Sequence, residues 1–203
     1  MMVKPKKSLR QSLIIFVRSP KLGKVKTRLA KEVGDKEALS IYIRLLRHTR
    51  EVAEGVNATR HLFYSDEVIE DEWSTDYFQK VLQAKGDLGD KMHHAMGTAL
   101  ETSSKAIIIG SDCAQLSSSL IESAYEALDQ NDVVIGPTFD GGYYLLGVKK
   151  VHKELFEDMT WSVESVFDET VRRIELKGLS YSILDKLSDI DYKEDWDKYG
   201  LDA

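Results

Sequence analysis

Apolar and polar positions along this chain switch between a strand-like and a helix-like period. Leu13-Ile14-Ile15-Phe16-Val17 is an unbroken apolar run, as expected of a strand covered on both faces. Residues 106–109 repeat that pattern. Shorter strands are predicted at 62–64, 81–82, 133–135, 143–148 and 180–184. Gly136-Pro137 is expected to halt the strand at 133–135. Between these runs, helical spacing is read over 36–54, with Gly55 as its stop, and over 88–102, 117–129, 163–177 and 194–199. One of Ser117, Ser118 or Ser119 is the expected N-cap of the third. The alternation predicts an α/β fold: a three-layer α/β/α sandwich around a mostly parallel sheet.

Such sheets bind ligands at the carboxyl ends of their strands. The polar residues just past each strand are therefore informative. After the first come Arg18, Pro20, Lys21, Gly23, Lys24, Lys26, Thr27 and Arg28. After the strand at 106–109 come Gly110, Ser111 and Asp112. After the next come Asp140, Gly141 and Gly142, and after the last come Asp189 and Asp191. Cations suit phosphate oxygens and carboxylates suit a hard divalent ion. One rim holding both predicts a metal–nucleotide or metal–sugar-nucleotide site. The first loop matches neither a Walker A loop nor a G-x-G-x-x-G turn. A solvated basic face is the plain alternative for that loop, and a turn aspartate is the alternative for Asp112. Asp189-Ile190-Asp191 either completes a metal site with Asp112 or caps the helix over 194–199.

Composition sharpens this picture. The chain has 203 residues and a net charge of −6. That sign argues against a general nucleic-acid binder, which must replace counterions on a polyanion. Yet residues 1–31 hold ten Lys or Arg and no Asp or Glu, leaving 18 cations against 34 carboxylates in the remainder. Residues 1–10 are expected to be a flexible basic tail and 11–203 a single domain. The only cysteine, Cys113, excludes an internal disulfide and is expected to be a small buried residue. No segment has the length of a signal core or a membrane span, and a cytoplasmic location is expected. His93 and His94 are neighbours on one helix and point apart, so they form no chelating pair.

The segment 16–29, Phe-Val-Arg-Ser-Pro-Lys-Leu-Gly-Lys-Val-Lys-Thr-Arg-Leu, resembles the F-x-K-x-P-x-x-G-x-V-K-T-R-L signature of a bacterial family of GT-A-like transferases. These are a domain of unknown function, also called selenodomain-associated transferases. The blocks at 86–92, 110–113, 140–147, 161–162 and 189–191 continue the match in order. Arg18 stands where the family usually has Lys, and Ala114 where it usually has Pro after Asp-Cys, a change expected to loosen the turn holding Asp112. The resemblance implies the nucleotide-diphospho-sugar transferase fold over residues 13–197. It also implies Mg2+ or Mn2+ held by Asp112 and Asp191, with the nucleotide over the first loop.

On that reading Arg18, Pro20, Lys21, Gly23, Lys26, Thr27 and Arg28 bind the nucleotide together with Gly86, Asp87, Gly89 and Ser111. Gly141, Gly142, Tyr143 and Trp161 face the acceptor. Asp112 and Lys26 take part in catalysis, and Asp140 is the candidate general base. The donor is a nucleotide or sugar nucleotide and the acceptor a small molecule. The expected reaction is glycosyl transfer. The alternatives are nucleotidyl transfer with release of diphosphate and a non-catalytic nucleotide-binding module.

Overall fold

The computed structural model describes residues 11–201, so the expected tail at 1–10 lies outside the described residues. In chain order the elements are β1 (Gln11–Val17), α1 (Thr27–Val33), α2 (Asp35–Glu54), β2 (Thr59–Tyr64), β3 (Phe78–Leu82), α3 (Leu88–Leu100), β4 (Lys105–Ile109) and α4 (Ser118–Gln130). There follow β5 (Val133–Pro137), β6 (Tyr143–Val148), α5 (Val166–Leu176), β7 (Tyr181–Ile183) and α6 (Lys193–Tyr199). The sheet order is β3-β2-β1-β4-β6-β5-β7. All neighbours pair in parallel except β6, which runs antiparallel to both β4 and β5.

The apolar run of β1 divides between the two faces, as a doubly covered strand must. Leu13, Ile15 and Val17 pack under Tyr42 and Leu46 of α2 and Ile121, Tyr125 and Leu128 of α4. Ile14 faces the opposite core, with Met92 and Met96 of α3 and Ile174 of α5. The molecule is thus the α/β/α sandwich that the pattern predicts. A smaller third core joins α1 and α2 through Leu29, Ile41 and Leu45 with Ile190, and Trp196 and Tyr199 of α6 pack partly buried against it.

Two elements differ from expectation. Helix α1 offers too short an apolar face to be read from the pattern: Leu29 is its one fully buried residue, with Ala30 and Val33 packed partly buried beside it. A seven-residue helix is not stable alone. Docking of Leu29, worth ~1.5–3 kcal/mol, holds it against α2 and α6. Gly136-Pro137 does not halt β5 either. The strand runs through Pro137, with a shift of register there that accommodates the missing N–H. The antiparallel course of β6 follows from the tight turn at 138–142, and it returns Tyr143 to the rim where the parallel strands end.

Candidate functional site

Lys26 stands at the centre of this rim. It precedes α1 in a left-handed conformation, φ 46° and ψ 46°. A non-glycine residue pays for that geometry. Its carbonyl accepts the Ala30 N–H at 2.8 Å, and its side chain is only 4% exposed. The ammonium Nζ lies 3.0 Å from Asp112 Oδ1 and 3.4 Å from Asp191 Oδ1. Arg28 Nη1 reaches Asp191 Oδ2 at 2.8 Å. Burial opposes the charge on Lys26, but Asp112 and Asp191 outweigh it and hold the ammonium above the ordinary lysine range.

The two aspartates come from distant parts of the chain, and backbone bonds bring them together. Asp112 follows β4. After β7 the chain continues beside β5, where Leu187 N–H donates to the Pro137 carbonyl and Phe139 N–H to the Leu187 carbonyl. It then crosses to β4, and Ile190 N–H donates to the Asp112 carbonyl at 2.9 Å. Ser188 N–H is held by Gln115 Oε1 at 3.1 Å. Asp189 and Asp191 do not cap α6. Asp195 does, accepting the N–H groups of Asp191 and Tyr192. Ala114, where the resembled family has Pro, is buried beside Ile190 in the third core.

Asp189 has a different character. Burial, and then the neighbouring Asp112 charge, push its carboxyl up from 3.8 to about 7. An unfolded aspartate titrates near ~3.9. Between these values the folded chain keeps a proton that the unfolded chain has lost. Its contribution is therefore greatest below about pH 4 and declines as pH rises through about 7, by up to ~1.4 kcal/mol per unit. Urea unfolding at several pH values should show Asp189→Asn gaining on the wild type between pH 4.5 and 7.5. A pH-independent difference would contradict this. Cys113 is buried, and burial pushes its thiol up to about 12, so it is no thiolate nucleophile.

These groups open onto a cavity of about 620 Å³. Of the residues expected at the site, Arg18, Lys26, Thr27, Arg28, Ser111, Asp112, Tyr143 and Asp191 line it. Lys24 and Lys91 add to the cations, giving five cationic side chains against Asp112, Asp189 and Asp191. That excess, on an acidic chain, suits a polyanion. Among the described residues no group of three or more His, Cys, Asp or Glu side chains is gathered to hold a metal ion. Mg2+ in phosphate-transfer sites characteristically uses one or two carboxylates plus the substrate's phosphates. Asp112 and Asp191 converge on one cation, the Lys26 ammonium, so the donor set fits such an ion.

Other expected residues lie outside the cavity. Lys21 pairs with Glu67 at 2.6 Å and Asp66 at 3.4 Å, and Pro20 lines a separate apolar cleft with Ile43, Leu46 and Trp73. Gly23, at φ 70°, lies in the turn that follows, where the Lys24 N–H donates to the Lys21 carbonyl at 3.0 Å. Gly86 and Asp87 build the start of α3, where Asp87 and Asp90 cap each other's backbone N–H groups. Gly89 is a packing site: a Cβ there would lie 2.6 Å from the Phe156 carbonyl and 2.9 Å from the Trp161 ring. Trp161 packs on the core beneath α3, its indole N–H buried without a partner. Asp140 accepts from Thr138 Oγ1 at 2.5 Å and from Gly142 N–H at 3.2 Å, closing the turn that contains Gly141.

Sequence reasoning missed Tyr42, Ser65, Gln83 and Lys91, which also line the cavity. Tyr42 receives the Arg18 N–H at 2.9 Å and returns its own O–H to the Arg18 carbonyl, fixing the start of the first loop. It reads as an ordinary apolar residue of α2, and nothing local marks it. Lys91 lies within the 86–92 block, where its cationic type was the available signal.

A protein from Desulfovibrio desulfuricans G20, provisionally named a nucleotide-diphospho-sugar transferase, superposes with a TM-score of 0.85. It shares 28% identity over 90% of this chain and 83% of its own. Rv0371c from Mycobacterium tuberculosis H37Rv, in complex with manganese, gives a TM-score of 0.57 at 10% identity over 94% and 97% of the two chains. CMP:2-keto-3-deoxy-manno-octonic acid synthetase complexed with CTP also gives 0.57, at 10% identity over 93% and 96%. At that identity the last two show the fold alone, and the sandwich is that of the nucleotide-diphospho-sugar transferases. No curated protein matches the chain. Among the described residues no helix is long and apolar enough to cross a membrane. Residues 48–163 match the family described as "uncharacterized protein conserved in bacteria (DUF2064)", and the chain belongs to that family.

Proposed function

We propose that this chain is a metal-dependent transferase acting on an activated nucleotide, with the cavity at the Lys26 rim as its active site. The observation that carries the reading is the convergence of a buried lysine, two aspartates and further cations at the carboxyl ends of β1 and β4. Asp112 and Asp191 would hold Mg2+ or Mn2+. Such an ion supplies charge neutralisation at the phosphates. Arg18, Lys24, Arg28 and Lys91 would bind phosphate oxygens, each charge-assisted bond contributing ~1.5–3 kcal/mol. Lys26 would steady negative charge that grows on the leaving phosphate. Tyr143, at the start of β6, would meet the acceptor.

Five cations around the cavity favour a nucleoside triphosphate as donor, and so nucleotidyl transfer to an acceptor with release of diphosphate. The name of the Desulfovibrio protein favours the second reading, glycosyl transfer from a sugar nucleotide. Under this proposal the protein works in the cytoplasm. A thermal-shift panel of nucleoside triphosphates and sugar nucleotides, with and without Mn2+, tests both. A binder should raise the melting temperature in proportion to the logarithm of its concentration over Kd. Incubation with acceptors then separates them: diphosphate as product supports nucleotidyl transfer, and a nucleoside diphosphate supports glycosyl transfer. If no nucleotide shifts the transition under either metal condition, the proposal fails.

A further inference from the structure

The place of the Lys26 ammonium has a consequence for the order of binding. Its stem is buried and its backbone is fixed by the first turn of α1, so the charge cannot retreat into solvent as a surface lysine does. Its Nζ lies 3.0 Å from Asp112 Oδ1 and 3.4 Å from Asp191 Oδ1. Those oxygens are the ones that would hold a divalent ion. Both cations cannot share them, because like charges at such separations repel strongly. Asp191 is further engaged by Arg28 at 2.8 Å.

We propose that Lys26 is an internal stand-in for the divalent cation: the metal binds only as the ammonium leaves the aspartates, and incoming phosphate oxygens are what accept it. This rests on the metal-dependent reading above. Without phosphates, a metal must displace the ammonium from both carboxylates and leave a buried charge with poorer partners, which is costly. With phosphates present, the displaced ammonium gains an anionic partner. Metal and phosphate therefore strengthen one another's binding, and neither is held well alone. The coupling is reciprocal, as linkage requires. In the resting protein Lys26 pairs with both aspartates, and Arg28 with Asp191.

Binding of Mn2+ alone, followed by loss of its free-ion electron paramagnetic resonance signal, tests the exchange. Lys26→Met removes the competing charge and should tighten bare Mn2+ by ~10-fold or more, since the competent state no longer has to be freed. Lys26→Gln should do the same, and circular dichroism establishes that each variant folds. Inorganic diphosphate should tighten Mn2+ binding more in the wild type than in either variant. If the folded variants bind bare Mn2+ no tighter than the wild type, while wild-type binding still requires Asp112, the exchange is wrong and the transferase reading stands. If Mn2+ binds to neither wild type nor variants, with or without diphosphate, both are overturned.

Discussion

Asp112→Asn is expected to abolish metal-dependent nucleotide binding and to lower transfer by ~100-fold or more, as loss of a group that stabilises developing charge does. The fold should survive. The Asp112 side chain is 45% exposed, and its structural role runs through its main-chain carbonyl, which keeps the Ile190 N–H whichever side chain is present. Asparagine preserves the shape and one acceptor oxygen for Lys26. What disappears is the charge that, with Asp191, would hold the ion. A stability loss of about 1 kcal/mol corresponds to ~2–4 °C in a domain of this size. Melting curves with and without Mn2+ and nucleotide read both effects together. A variant that melts near the wild type yet gains nothing from metal plus nucleotide is the expected result. Retained metal-dependent stabilisation would remove Asp112 from the site.

The largest structural effect is expected at Gly141. Its φ of 89° is disfavoured for any residue with a Cβ. That Cβ would lie 1.9 Å from the carbonyl oxygen of Glu164, a backbone atom with no rotamer to move. The same glycine's carbonyl accepts the Phe167 N–H at 2.8 Å, so the turn after β5 is clamped to the start of α5. Left-handed strain adds ~1–2 kcal/mol and overpacking ~1–3 kcal/mol. Gly141→Ala should therefore lose about 3 kcal/mol, or roughly 6–12 °C of melting temperature. Gly142→Ala is the control. Its Cβ would come no closer than 3.1 Å, to the Thr138 hydroxyl, and it needs no left-handed backbone. Equal losses from the two changes would mean that the clamp to Glu164 is not what requires glycine.

Gly141 also illustrates which features were legible in the sequence. The pair Gly141-Gly142 after a strand signals a close backbone approach, and the structure has one. Its target is Glu164, twenty-three residues along the chain, and no local pattern names it. Strand β1 was readable because both of its faces are buried, so its apolar run is unbroken. Helix α1 was not, since at seven residues its apolar face is only Leu29, Ala30 and Val33. The charge block was readable, and residues Lys24 to Arg28 do line the cavity. Lys21 carries the same charge but turns outward, because Asp66 and Glu67 stand on the far side of its turn. Asp112 and Asp191 could be ranked as candidates from their position after strands. Their union on one lysine depends on the path of residues 184–191 alongside β5, a long-range pairing outside any sequence period.

If this rim binds a nucleotide through a metal held by Asp112 and Asp191, nucleotide and metal affinities must be coupled. Isothermal titration of the best nucleotide from the thermal panel, once with Mg2+ and once with EDTA, measures that coupling. Saturable binding of one nucleotide per chain is expected with Mg2+, weakened ~10-fold or more by EDTA, a coupling of ~1.4 kcal/mol or more. Equal affinity with Mg2+ and with EDTA would contradict it.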